Sequence, residues 1–225
     1  MKTYTIAIDG PAGAGKSTIA RRLARELGYC YVDTGAVYRT VAYFFSLIGI
    51  SPKDQDGVAK YIDELTVEME YDEEGKQHMI MNTLDVTDDI RTPEISQGAS
   101  LVSAHKVVRD MLLDMQRDVA RKHNVIMDGR DIGTVVLPNA TVKIFLTASA
   151  EVRAQRRCKE LEAKGLPEKY EKVLKDIQQR DYQDSHRAIA PLKQARDAVL
   201  LDSSDLDIDG VVAAMLKIVR EKIPE

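Results

Sequence analysis

The chain has little of the material that several classes of protein require. Tryptophan is absent, only 5% of the residues are aromatic, and the two cysteines, Cys30 and Cys158, lie far apart. Such cysteines form no metal-binding pair and are typical of reduced thiols, so we expect a soluble cytoplasmic protein. The longest apolar runs fall well short of the roughly 20 residues that cross a bilayer, which excludes a membrane-spanning helix.

An excess of charge of one sign is also lacking. The sequence has 32 Lys and Arg against 36 Asp and Glu, for a formal net charge of −4. A charge this small does not hold a chain on nucleic acid or on an anionic membrane, so we expect neither as a partner. The segment 1–5 lacks the apolar run of a signal peptide. No exposed apolar seam stands out, and we expect a monomer.

What the sequence does contain is an alternation of strand and helix patterns. Its 225 residues suit one domain or one domain with a small insert. We predict strands at residues 3–9, 29–33, 124–128, 141–146 and 199–201, and helices at 16–27, 35–48, 149–163, 167–187 and 207–222, with one or two more in 94–121. This order favours an α/β fold whose parallel sheet is covered on both faces.

One segment interrupts this order. Residues 65–71 and 77–83 alternate apolar and polar side chains on either side of a polar turn at 72–76. The pattern predicts a β-hairpin that is buried on one face. We interpret residues 62–90 as the core of a small antiparallel insert.

The most informative motif is a glycine-rich loop between the first strand and the first helix. It fits the phosphate-loop pattern Gly-x-x-x-x-Gly-Lys-Ser, and its placement disfavours the alternative of a tight turn without a ligand. Glycines let successive backbone amides point at phosphate oxygens, Lys16 can reach the β and γ phosphates of ATP, and Ser17 can bind Mg²⁺. The predicted ATP-binding residues are Gly10, Pro11, Ala12, Gly13, Ala14, Gly15, Lys16, Ser17 and Thr18.

An acid at the end of another predicted strand has two interpretations. The apolar run 125–127 ends at Asp128, where a carboxylate can hold the Mg²⁺ shell. An acid that simply terminates a strand is an equally good explanation. The four histidines form no metal-binding pattern, and we assign them no role.

Three clusters combine arginine, acid and hydroxyl side chains: residues 33–39, 128–134 and 179–187. Each could be a set of solvated surface charges. Glycines beside two of the clusters favour close approach of the backbone to a ligand instead.

Three segments give this pattern a specific resemblance. Residues 33–39, 128–136 and 187–192 are similar to the signatures of bacterial cytidylate kinases, a type of nucleoside monophosphate kinase, and the similarity covers nearly the whole chain. The resemblance implies a three-layer, adenylate-kinase-like P-loop fold and transfer of phosphate from ATP to CMP or dCMP. It also implies a single domain over 1–225, with a monophosphate-binding insert at about 62–100 and a short lid at about 150–166.

The resemblance also assigns roles to individual residues. It implies Ser100, Arg109 and Asp131 around cytosine, Thr34, Arg39, Arg130 and Arg187 around the acceptor phosphate, and Arg180 and Asp184 at the ribose. Asp131 can accept a hydrogen bond from the amino group of cytosine. Uracil has a carbonyl at that position, which would place two acceptors opposite each other. Thr34 stands where we expect serine in many relatives, and it keeps the hydroxyl.

The lid that the resemblance implies carries Arg153, Arg156 and Arg157. Together with Lys16 and Arg130, we expect Arg153 and Arg157 to neutralise charge on the transferred phosphoryl group. A basic, solvated helix face beside Glu151, Glu160 and Glu162 explains any single one of these arginines nearly as well.

Other functions remain as alternatives. The nearest is a P-loop kinase for UMP, AMP or shikimate. A nucleotide-dependent switch would need the guanine-selecting Asn-Lys-x-Asp motif, which does not occur. A nucleic-acid-binding ATPase would need a basic stripe with interleaved aromatic residues, and this acidic, aromatic-poor sequence shows none.

Overall fold

The computed structural model describes residues 3–223, so the predicted domain ends at 1–2 and 224–225 lie outside the described residues. The chain divides into two units: Thr3 with Cys30–Val125, and Tyr4–Tyr29 with residues 126–223. The strands are β1 (Thr5–Asp9), β2 (Cys30–Asp33), β3 (Val67–Tyr71), β4 (Gln77–Met81), β5 (Leu84–Asp85), β6 (Val125–Gly129), β7 (Val142–Thr147) and β8 (Val199–Asp202). The helices are α1 (Lys16–Leu27), α2 (Thr34–Leu47), α3 (Gln55–Tyr61), α4 (Pro93–Val102), α5 (Lys106–Lys122), α6 (Ala150–Ala163), α7 (Tyr170–His186) and α8 (Ile208–Lys222).

A parallel sheet of five strands forms the main framework. In the second unit β6, β1, β7 and β8 lie side by side in that order, and the fifth strand is β2. β1 and β7 run parallel with Ile6 beside Val142, and β7 and β8 run parallel with Ile144 beside Val199. The inner strands are continuous apolar runs because both of their faces are buried. The predicted α/β class with a parallel main sheet is confirmed.

The first unit contains the small antiparallel sheet, in the order β3-β4-β5. Val67 pairs with Met81 and Met69 with Met79, so alternate side chains of the hairpin face the core of this unit. The predicted hairpin is therefore confirmed. β5 was not expected, because a strand of two residues is too short to show a period.

Helix ends follow their local chemistry. α1 spans the predicted residues, and Gly28 ends it at φ 66° with its N–H donated to Ala24 O. The predicted 94–121 segment is two helices, α4 and α5. α3 was missed because its seven residues bury only Val58 and so show no helical period. Within residues 3–223, no helix combines the length and apolar character needed to cross a membrane.

Candidate active site

The glycine loop joins β1 to α1 in the second unit, and its glycines have conformations that other residues avoid. Gly10, Gly13 and Gly15 have φ of 152°, 75° and 86°. A Cβ atom on Gly10 would lie 1.9 Å from the carbonyl oxygen of Leu146 in β7, so no side chain fits there. The loop thus curls tightly against the sheet and ends where the positive end of the α1 dipole begins.

Lys16 is the first residue of α1 and is only 5% exposed. Its Nζ donates to Pro11 O at 2.7 Å, which turns the ammonium group back over the loop. Burial lowers the pKa of Lys16 and the charge of Arg130 lowers it further, while Asp128 and Asp9 oppose the shift. A buried cation of this kind is stabilised by an anionic ligand in the loop.

Ser17 and Asp128 meet although 111 positions separate them in the chain. The Ser17 Oγ donates to Asp128 Oδ2 at 2.8 Å, and Asp128 is buried at the end of β6. A hydroxyl and a carboxylate at this distance form an oxygen donor pair of the type that Mg²⁺ prefers. Within residues 3–223, however, no group of three or more His, Cys, Asp or Glu side chains is arranged to hold a metal ion.

Arg153 of α6 also binds the loop and is only 5% exposed. Its Nη1 donates to Ala12 O at 3.0 Å and its Nε donates to Ala148 O at 2.9 Å. The same guanidinium donates hydrogen bonds to both carboxylate oxygens of Asp181, at 3.0 and 2.6 Å. Arg153 therefore connects the glycine loop to α6 and α7.

The other two arginines of α6 make different contacts. Arg156 donates to the carbonyl of Ser203 at 2.6 Å and so binds the segment after β8. Arg157 is more exposed and pairs with Glu160 on its own helix at 2.9 Å. Neither of these contacts brings its arginine to the glycine loop.

Three arginines surround the buried carboxylate of Asp184. Arg130 Nε donates to Asp184 Oδ2 at 2.8 Å, and Arg187 Nη2 lies 3.5 Å from Asp131 Oδ1. Burial by itself raises the pKa of Asp184, but the charges of Arg130, Arg180 and Arg187 outweigh it and the net pKa is lowered. The second unit thus holds a surplus of positive charge around two carboxylates, which suits a phosphorylated ligand.

The first unit carries a smaller basic site at the start of α2. Asp33 caps this helix by accepting from the Ala36 amide at 2.9 Å, and its other oxygen binds Arg39 Nη2 at 3.0 Å. Gly35 leaves room for this pair, since a Cβ there would lie 3.1 Å from Arg39 Nη1. Thr34 is buried beside them. Among the described residues, the buried Nε of Arg39 has no hydrogen-bond partner.

Arg109 and Ser100 are connected through Ser103 elsewhere in the first unit. Arg109 is 7% exposed, its Nη1 donates to Ser103 O at 3.3 Å, and its guanidinium lies 5.7 Å from the centre of the Tyr38 ring. Ser103 in turn donates from its hydroxyl to Ser100 O at 2.8 Å. The stacked arginine is held in a defined orientation by these contacts.

Sequence reasoning missed three residues that organise these sites. Asp181 holds Arg153, and Gln77 of β4 fixes the end of β2 by accepting from Asp33 N at 2.7 Å. The third is Asp9, whose carboxylate binds two backbone amides after β6. Asp9 stands directly before the glycine loop, and that position was the only signal available in the sequence.

The parallel sheet, the loop and its buried lysine define a P-loop nucleotide-binding protein of the α/β class. The family model described as cytidylate kinase matches residues 6–221. The chain therefore belongs to the cytidylate kinase family.

Curated relatives match this chain over nearly their full length. A cytidylate kinase of an Exiguobacterium species is 49% identical over 98% of both chains, and one of Carboxydothermus hydrogenoformans is 49% identical over 96% of this chain and 97% of that protein. Among solved structures, an uncharacterized protein from Eubacterium ventriosum has a TM-score of 0.52 and 13% identity, covering 96% of this chain and 97% of that one. This last similarity concerns the fold alone.

Proposed function

We propose that the protein transfers the γ-phosphoryl group of ATP to CMP and dCMP, as a monomer in the cytoplasm. The observation that carries this proposal is the near-complete coverage of this chain by relatives named cytidylate kinase, in a chain whose phosphate loop is fully formed. The products would be CDP or dCDP and ADP.

On the donor side, residues 10–18 bind the phosphates of ATP. Lys16 is already turned over the loop and gains a counter-charge when the triphosphate enters, which offsets the cost of its burial. The Ser17 and Asp128 oxygens fit Mg²⁺ and would hold it directly or through water. Bound Mg²⁺ neutralises charge on the phosphate oxygens.

On the acceptor side, hydroxyl and arginine side chains bind CMP. Thr34, Arg39, Arg130 and Arg187 bind its phosphate, and the buried Nε of Arg39, which has no hydrogen-bond partner among the described residues, supports this role. Arg180 and Asp184 bind near the ribose. Residues 62–100 contact the monophosphate, and residues 150–166 close as a lid to keep water from the phosphoryl group.

The reaction needs positioning and charge neutralisation more than covalent help. The acceptor phosphate is already ionised near neutral pH because its second pKa is about 6, so no general base is required. Lys16 and Arg130 neutralise the charge of the transferred group, together with Arg157 from the lid. Arg153, which holds the Ala12 carbonyl, acts at the same loop.

Selection of cytosine depends on Asp131, Arg109 and Ser100. Asp131 is 4% exposed, and a buried acceptor can take the amino donor of cytosine but repels the carbonyl of uracil. An unpaired buried group costs ~1–3 kcal/mol, which corresponds to about 5- to 150-fold in discrimination.

An acceptor panel tests the proposal. ADP release is measured with CMP, dCMP, UMP, AMP and shikimate, each with and without Mg²⁺. We expect turnover with CMP and dCMP, weaker turnover with UMP, and none without Mg²⁺. Preference for AMP or shikimate would refute the proposed acceptor. In the Asp131→Ala variant, CMP use should fall while ATP binding is retained, and equal losses of both would remove Asp131 from base selection.

A further inference from the structure

Asp9 is a buried carboxylate that the proposed reaction does not use. It is the last residue of β1, directly precedes Gly10, and is 4% exposed. Its two oxygens accept from two consecutive backbone amides, Oδ1 from Ile132 at 2.8 Å and Oδ2 from Gly133 at 2.7 Å. Few side chains can do this, because two convergent N–H donors require two acceptor atoms.

The two amides open a π-helical turn, Ile132–Val136, which directly follows Arg130 and Asp131. The carbonyl of Asp131 accepts from the amides of Val135 and Val136 at 2.8 and 3.2 Å, so the turn is built on this residue. The amides at the start of such a turn have no partner within it, and Asp9 provides one. The position of Asp131 is thereby tied to the end of β1.

The fit around this contact is close. A Cβ atom on Gly133 would lie 3.3 Å from Asp9 Oδ2 and 3.1 Å from Lys143 Cδ, so glycine lets the carboxylate reach both amides. The pKa of Asp9 is raised to about 6, because burial and the neighbouring charge of Asp131 raise it by more than the two amides and Lys16 lower it. Keeping a carboxylate ionised at this buried position costs stability. The two amides explain why it is there, because they require two acceptor oxygens.

We propose that Asp9 is a positioning residue that holds Arg130 and Asp131 in register with the phosphate loop, and so acts on the acceptor rather than on ATP. The inference rests on the proposed function. The loop keeps its own contacts, Gly10 against β7 and Lys16 on Pro11 O, without the Asp9 side chain. The contacts of the loop therefore do not require the Asp9 side chain, which acts on Lys16 only through its charge.

The Asp9→Asn variant provides the first test. Its amide oxygen can still accept from Ile132, but its NH₂ group faces the amide of Gly133. We expect the KM for CMP to rise about tenfold, from the loss of one buried hydrogen bond, while the Kd for ATP from titration calorimetry without CMP stays within about twofold. Amide hydrogen exchange at Gly133 should become faster than in the wild type.

Two matched pairs separate positioning from general stability. Asp207 accepts from the Gly210 amide at 2.8 Å at the start of α8, so Asp207→Asn removes the charge of a similar capping carboxylate far along the chain and should leave both constants unchanged. Gly133→Ala crowds Asp9 from the opposite side and should weaken CMP use. Gly210→Ala, whose Cβ would lie 3.2 Å from Asp207 Oδ1, should not.

The outcomes are distinct. Equal losses for CMP and ATP in Asp9→Asn, or unchanged kinetics with unchanged exchange at Gly133, would overturn the positioning role. If the wild type did not phosphorylate CMP, the proposed function would fail, while hydrogen exchange would still report on the contact. If Asp9→Asn did not fold, the comparison of Gly133→Ala with Gly210→Ala would decide.

Discussion

The burial of Asp9 predicts how stability depends on pH. The pKa of this carboxyl is raised from 3.8 to about 6, chiefly by burial and also by Asp131, against the two amides and Lys16. The folded protein therefore binds the proton more tightly than the unfolded chain does. Protonation of Asp9 favours folding, and this contribution is complete below about pH 4 and is lost as the pH rises through 6.

The size of the effect follows from the two pKa values. One pKa unit corresponds to about 1.4 kcal/mol at 25 °C, so a change from 3.8 to about 6 corresponds to about 3 kcal/mol. Asp9→Asn cannot titrate. The free energy of unfolding of the variant, minus that of the wild type, should therefore increase by about 2–3 kcal/mol between about pH 4 and pH 7.

Urea denaturation at several pH values, followed by circular dichroism, measures this difference. The other titratable groups are present in both proteins, so the contributions of those that do not interact with Asp9 cancel in the subtraction. The absolute stability of Asp9→Asn is not what is tested, because the amide also alters the bond to Gly133. Parallel curves for the two proteins across this pH range would show that Asp9 is not the buried acid with a raised pKa.

Three further predictions concern the loop and the hairpin. Lys16→Met should lower turnover by ~10³-fold. It should not lower stability to urea, because burial disfavours the charge of the lysine. A clear loss of stability would contradict this. Gly10→Ala should lower Tm by about 5 °C or more and weaken ATP binding. Gly28→Ala is the control, because Gly28 has a φ of 66° but no atom within 4 Å of its Cβ, and it should lower Tm by less. Equal shifts of Tm would argue against the overlap with Leu146. The pKa of Asp85 is lowered to about 2, chiefly by the hydrogen bond from the Thr87 hydroxyl. The contribution of Asp85 to stability is therefore present above about pH 4 and is lost as the pH falls through 2. Urea denaturation curves of Asp85→Asn that match those of the wild type down to about pH 2 would contradict this.

Much of the fold could be predicted because its signals are local. The strand before Gly10, the bounds of α1 and the alternating hairpin depend on residues within one or two turns of each other. Short elements escaped prediction for the same reason. α3 and β5 contain too few buried residues to set a period, and their formation depends on contacts made elsewhere in the chain.

The sequence by itself determined the phosphate loop, since its glycines, lysine and serine are contiguous and the backbone conformations follow from residue type. Only the tertiary structure decided which side chains support the loop. Ser17 meets Asp128 across 111 positions, Arg153 meets Asp181 across 28, and Asp9 meets Gly133 across 124. The first and third pairs form because parallel strands bring the ends of distant segments to one edge of the sheet, and the second forms because α6 packs on α7. No local sequence pattern indicates that these residues are neighbours.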